Sequence, residues 1–235
     1  MLVHRSYEKE LLDRDDIPFE DIKQNMKELD FINTWLGGHE ITVNAFKRLV
    51  ADKKQITICE IGCGGGDNLV AINKWCNSRK IELRIMGIDI KQECVDYAKS
   101  RTSFAGQAEW ITSDYQLVQL DHKPDIIFSS LFCHHFTHEQ LLIQLQWMKD
   151  NSQIGFFIND LQRNIVAFHA IRLLTQAFSK SYLVKNDAPL SVARGFKKSE
   201  LTQLCDQCNM PDATIDWKWA FRYLVVYKHE PGRAI

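Results

Sequence analysis

A doubly wound α/β sheet of about seven strands, mostly parallel, is expected of this 235-residue chain on three observations. β-branched apolar runs alternate with helical segments from residue 55 to residue 160. The first run passes directly into a glycine-rich turn that opens a helix, Glu60-Ile61-Gly62-Cys63-Gly64-Gly65-Gly66-Asp67. The last two extended runs lie so close in sequence that an antiparallel hairpin at the sheet edge is expected. With 45% hydrophobic and 25% charged residues the composition is ordinary for a globular protein, and the length suits one domain around one core.

The elements follow in order. Ile22, Met26, Leu29, Ile32 and Leu36 recur at helical spacing, so an amphipathic helix is expected over 20–36, stopped by Gly37-Gly38, within an N-terminal helical cap over 1–45. Residues 55–61 are rich in β-branched residues and mainly apolar in character, as a strand covered on both faces should be. Helices are expected over 67–78, 91–100 and 139–149, with strands over 82–88, 108–112, 125–129 and 153–158, the last ending in Asn159-Asp160. Residues 55–160 would form the core that holds a cofactor. A long helix over 165–179 places Phe168, Ile171, Leu174, Thr175 and Phe178 on one stripe, with His169 off it, a pattern that reads as core packing. Residues 184–196 read as a polar loop, 198–209 as a helix, and 213–217 and 221–227 as the terminal strands. The roof over a substrate would come from 161–210, and the terminal strands from 211–235.

Composition also restricts function. Twenty-nine basic and 30 acidic residues leave a net charge of -1, which provides no field to attract a phosphate backbone, so no nucleic-acid partner is expected. Lys185, Arg194, Lys197 and Lys198, close in sequence, read as a solvated face. Seven cysteines, an odd number in no secreted pattern, point to reduced thiols and a cytoplasmic location. The first ten residues lack an apolar signal core and no run of about 18 apolar residues occurs, so no membrane partner is expected. Cys205 and Cys208 form a lone C-x-x-C with no second ligand pair.

The glycine turn admits three ligands in principle. A dinucleotide site needs a third glycine where Asp67 stands, and an acid there would repel a pyrophosphate. A phosphate-cradling P-loop needs a following Gly-Lys-Ser/Thr, which is absent. S-adenosylmethionine carries no phosphate, and an acid before the turn suits its amine. The segment resembles the first motif of class I S-adenosylmethionine-dependent methyltransferases, an acidic residue, a variable one and G-x-G-x-G, matched by Glu60, Gly62, Gly64 and Gly66, with Cys63 inside the loop. That resemblance implies a Rossmann-like sheet and S-adenosylmethionine as cofactor. It further implies that Asp89, followed by Ile90, holds both ribose hydroxyls, although the same acid would serve a nicotinamide cofactor. Asp114 would accept from the adenine amino group beside an aromatic Tyr115, and Ser129 and Ser130 would line the methionine end.

The acceptor is approached through the fourth strand, Ser129-Ser130-Leu131-Phe132-Cys133-His134-His135. It lacks the Pro-Pro motif of family members that act on nucleobase amino groups. It also lacks the acidic strand-end ligand of metal-dependent catechol-type members. His134, His135 and His138 have no identified carboxylate or cysteine partner, so no metal is expected. The His134-His135 pair resembles the Leu-His-His stretch of small-molecule methyltransferases, and either histidine is a candidate catalytic base, a neutral imidazole being suited to a substrate hydroxyl. The alternative is a helix-starting histidine satisfied by backbone. Asp160 and Arg163 after the fifth strand, and Asp187 and Arg194 near Ser191, are candidate substrate contacts or roof braces. Residues 11–39, Asn159-Asp160-Leu161-Gln162-Arg163 and Asp187-Ala188-Pro189-Leu190-Ser191 resemble a bacterial subgroup associated with polyketide or pigment-type molecules. The expected function is O-methylation of a small hydroxylated molecule, aromatic ones included, by in-line attack on the sulfonium methyl. Carbon methylation, cofactor binding without turnover and NAD-dependent oxidoreduction are the alternatives.

Overall fold

The computed structural model describes residues 2–14, 16–101, 104 and 107–230. Helices α1 (Phe19–Trp35) and α2 (Gly38–Val50) precede β1 (Gln55–Ile61), α3 (Asp67–Arg79), β2 (Glu82–Asp89), α4 (Gln92–Arg101) and β3 (Ala108–Thr112). There follow β4 (Ile126–Ser130), α5 (His138–Asn151), β5 (Gly155–Leu161), α6 (Ile165–Phe178), α7 (Tyr182–Arg194), α8 (Lys198–Gln207), β6 (Thr214–Lys218) and β7 (Arg222–Lys228). The seven strands lie in the order β3-β2-β1-β4-β5-β7-β6. β1 to β5 are mutually parallel, and β7 is inserted antiparallel between β5 and β6. The strand order reverses between β1 and β4, which opens a crevice at the carboxyl ends of the strands. Residues 60, 89, 130 and 160 all reach that edge.

Side chains alternate across each strand, so one sheet makes two cores. Ile58, Ile126, Phe128 and Phe157 pack with Phe46 of α2 and Leu69 and Ile72 of α3. The rings of Phe128 and Phe157 stack at 4.8 Å. On the other face Ile61, Ile127, Phe156 and Ile158 meet Leu145 of α5 and Leu204 of α8. Among the described residues no helix is long and apolar enough to cross a membrane.

Four expectations need revision. Gly37-Gly38 joins two helices: Gly37 adopts φ 74°, a left-handed bend that glycine tolerates, and α2 begins at once, burying Ile41, Ala45, Phe46 and Leu49 at helical spacing. Residues 184–196 are mostly α7, not a loop. The hydroxyl of Ser181 accepts from Val184 N–H to start that helix, and burial of Leu183, Val184, Val192 and Ala193 outweighs the backbone hydrogen bond lost at Pro189. β5 continues through Asn159 and Asp160 because they pair with Leu224 and Tyr223 of β7. α6 is not a core helix: only Ala167 and Thr175 are buried, while Leu174 is 47% and Phe178 81% exposed.

Candidate active site

The glycine turn is built on left-handed backbone, with φ of 66°, 50° and 75° at Gly62, Gly64 and Gly66. A Cβ at Gly62 would strike the Phe132 ring at 2.3 Å, and one at Gly66 would meet Trp110 at 2.9 Å. At Gly64 it would meet nothing within 4 Å, so the turn faces open space there. Asp89 ties the turn to β2: its Oδ2 accepts from Gly64 N–H and its Oδ1 from Lys91 N–H, each at 2.9 Å. Burial raises the Asp89 carboxyl above its ordinary pKa, opposed by those two amides. Ile90 stands 70% exposed beside it. The Cys63 side chain is buried, and its N–H donates to Ile88 O, so its place in the loop is made by backbone.

Glu60 is 1% exposed. Its Oε1 accepts from Asn68 Nδ2 at 3.0 Å, whereas its Oε2 has no hydrogen-bond partner. Burial holds this carboxyl well above the usual carboxylate range, with Asn68 opposing. Asn68 Oδ1 meets His39 Nδ1, His39 Nε2 meets Asp30 Oδ1, and Arg101 pairs with both Asp30 and Asp67. This chain of contacts fastens α1 and α2 to the glycine turn. Asp30 and His39 lie in the 11–39 segment that carries the subgroup resemblance, with no role expected of either, and Asn68 and Arg101 belong to no motif.

Asp114 follows β3 and caps a short 3-10 turn, its Oδ1 accepting from Gln116 N–H. Tyr115 is only 4% exposed, set edge-on to Phe132, Phe136 and Trp147, so its ring belongs to the core rather than to an open wall. Ser129 is fully buried against Cys133 at 3.2 Å and does not reach the crevice. Strand alternation sends Ser130 to the opposite face, where it is half-buried. Leu131 then turns the chain at φ 53°, an unfavourable conformation for a leucine, and delivers the histidine pair.

His134 is buried between two carboxylates. Its Nδ1 is 2.8 Å from Asp160 Oδ1, its backbone N–H donates to Asp160 Oδ2, and its Nε2 is 3.5 Å from Glu10 Oε1. His135 Nδ1 is 3.0 Å from Asp13 Oδ1, and its Nε2 is 3.8 Å from Glu10 Oε2. Burial by itself would lower the His134 pKa, but Asp160 and Glu10 together outweigh it and push it up to about 9. His134 is therefore an imidazolium at neutral pH, where a neutral base had been expected. Glu10, His134 and His135 offer ligand atoms within 4.8 Å of one another, a spacing a divalent cation could bridge, yet the opposite charges already satisfy one another.

Two of the remaining candidates, Asp187 and Arg194, hold this cluster in place. Asp187 accepts from the backbone N–H of Leu11 and Leu12, fixing the short turn that carries Glu10 and Asp13. Arg194 donates to His134 O, His135 O and Asp13 Oδ2. Arg163 donates to Gly195 O and pairs with Glu200 at 2.6 Å. Asp160, Arg163, Asp187 and Arg194 are all buried and none lines a cavity among those described; the expected solvated basic face loses Arg194.

A cavity of about 310 Å³ opens between α1, α6 and α7, with Glu10, His134, His135 and Arg222 as its charged or ionisable lining and leucine and isoleucine side chains around them. Arg222 is 3% exposed; its Nη2 donates to Asn33 Oδ1 at 2.7 Å and its Nη1 has no partner. Glu10 and Arg222 escaped the sequence reading because their roles arise from contacts more than 120 and 180 residues away along the chain.

The His134 pairing has a consequence for stability. Its folded pKa of about 9 lies above the ordinary 6.5, so the stabilisation is complete below pH 6.5 and is lost as pH rises through about 9. The difference in urea-unfolding free energy between the native chain and His134→Gln is expected to shrink over that range. A difference independent of pH would contradict the pairing.

A family model described as a methyltransferase domain matches residues 58–150. Among solved structures, the plantazolicin methyltransferase BpumL in complex with SAH superposes with a TM-score of 0.68 at 18% identity, over 92% of each chain. A SAM-dependent methyltransferase from Aquifex aeolicus gives 0.61 at 18% identity, over 91% of this chain and 99% of that one. Human N-acetylserotonin methyltransferase in complex with SAM gives 0.62 at 17% identity, over 90% of this chain and 56% of that one. No curated protein sequence matches.

Proposed function

We propose, from the premise that this chain has the class I methyltransferase fold and carries a methyltransferase domain over residues 58–150, that it is an S-adenosylmethionine-dependent O-methyltransferase acting on a small hydroxylated molecule. The observation that carries the cofactor reading is the buried, unpartnered Oε2 of Glu60 beside the open turn at Gly64. An unfilled carboxyl oxygen in a buried site favours an ammonium, and the cofactor's amine would fill it. Asp89 retains acceptor capacity on both oxygens for the ribose hydroxyls, and Asp114 stands after β3 for the adenine amino group. S-adenosylmethionine, when bound, supplies a methyl group already activated on its sulfonium.

The chain's own residues then have an acceptor to align and a proton to remove. Alignment of the kind an enclosed cavity provides is worth roughly 7–11 kcal/mol in favourable intramolecular systems. His135, with Nδ1 fixed by Asp13 and a side chain 20% exposed, takes the hydroxyl proton at Nε2. His134, as an imidazolium held by Asp160, is a positioning residue that keeps Glu10 ionised. The near-neutral charge suits a small-molecule partner rather than nucleic acid, and seven buried, free cysteines suit a reducing, cytoplasmic compartment.

Incubation with methyl-labelled cofactor and a panel of phenols and enols tests this reading, with mass spectrometry locating the label. A methyl ether is the expected product. Label on carbon would overturn the choice of oxygen, and label only on RNA, DNA or protein would overturn the small-molecule acceptor.

A further inference from the structure

α6 carries His169, Arg172 and Gln176 on one arc and apolar side chains over the rest of its surface, yet Val166, Leu173, Leu174 and Phe178 of that apolar part are exposed. Facing it across a groove of about 860 Å³ is the C-terminal half of α1, with Phe31 63% and Trp35 75% exposed. This groove is continuous with the cavity beside the histidines: Ile32, Leu36, Ile171 and Leu174 line both. Glu10, His134, His135 and the unpartnered Nη1 of Arg222 gather in the cavity. The outer groove is walled mainly by aliphatic and aromatic side chains as far as Phe178, with Gln24, Glu28, Thr175, Ser179 and Lys180 also in its lining.

We propose that the methyl acceptor is an amphiphile, with an oxygen-bearing head in the cavity and an extended apolar chain lying in the groove between α1 and α6. The inference rests on the methyltransferase reading and narrows its substrate class. Two features favour this occupant over a protein or lipid surface. The groove leads into the cavity that holds the histidines, with four lining residues shared between the two. The buried guanidinium at its inner end has a donor to spare, which suits a carbonyl or enolate oxygen beside the reacting hydroxyl. Exposed apolar area of this extent on a folded chain marks a binding site.

The test is calorimetric binding of 4-alkylphenols, from 4-methylphenol to 4-octylphenol, to the full chain saturated with S-adenosylhomocysteine. Burial of a methylene changes affinity about threefold to fourfold, so Kd is expected to fall by at least about 100-fold across the series. Phe178→Glu and Phe31→Glu, at exposed positions that leave the core untouched, are expected to flatten this dependence on chain length. Affinity independent of chain length, or a dependence that both variants retain, would overturn the proposal. So would sedimentation of the chain with phosphatidylcholine vesicles in the absence of phenol, which would assign the face to a bilayer. A dimer dissociated by Phe178→Glu would assign it to a second copy and equally overturn it. Binding that tracks chain length without any methyl transfer would defeat the O-methylation reading and leave the amphiphile standing.

Discussion

Asp89→Ala is expected to weaken S-adenosylmethionine binding more than tenfold. The carboxylate would contribute two charge-assisted hydrogen bonds to the ribose, each worth roughly 1.5–3 kcal/mol, and a tenfold change in affinity needs only about 1.4 kcal/mol. The structure adds a second reason: the same carboxylate accepts from Gly64 and Lys91 amides, so its loss also releases the turn that approaches the cofactor. Asp89→Asn keeps an acceptor for one amide and should bind with intermediate affinity. Calorimetric titration of the three proteins checks the order, and affinity unchanged in Asp89→Ala would remove Asp89 from the cofactor site.

Asp160→Ala is expected to destabilise the fold by about 3–5 kcal/mol at neutral pH, as removal of one partner of a buried ion pair does elsewhere. Asp160 accepts from His134 Nδ1, His134 N–H and Leu161 N–H, and its negative charge is what most offsets the cost of burying the imidazolium. Without it, His134 loses its proton or the loop after β4 moves. Asp160→Asn retains the shape but not the charge and should fall between the two. Urea unfolding at pH 7 measures the differences; an Asp160→Ala protein as stable as the native one would show that His134 is not held as an ion.

Much of this was legible beforehand because it depends on local pattern. The glycine turn needs left-handed backbone and room, and both are written in Gly62, Gly64 and Gly66. The parallel strands are rich in β-branched and aromatic residues because helices cover both faces, and their alternation with helices sets the crossover order. What was not legible depends on partners distant in sequence. Pro189 and a polar surrounding disguised α7, whose helix is secured by packing. α6 has the composition of a core helix and only the fold reveals that little covers it. Asp160, Arg163, Asp187 and Arg194 were sensibly singled out as polar groups near the active edge, yet Asp160, Asp187 and Arg194 position the histidine loop and the N-terminal turn, and Arg163 ties Gly195 to Glu200. Glu10 carries no motif at all, and its importance appears only where the N-terminal segment crosses the histidines.

The central claim is that the turn after β1 holds a sulfonium cofactor rather than a phosphate-bearing one. Titrating S-adenosylmethionine and NADH separately into the native chain tests it directly. Saturable one-to-one binding of S-adenosylmethionine with no heat from NADH is the predicted result, whereas NADH binding with none of S-adenosylmethionine would contradict it.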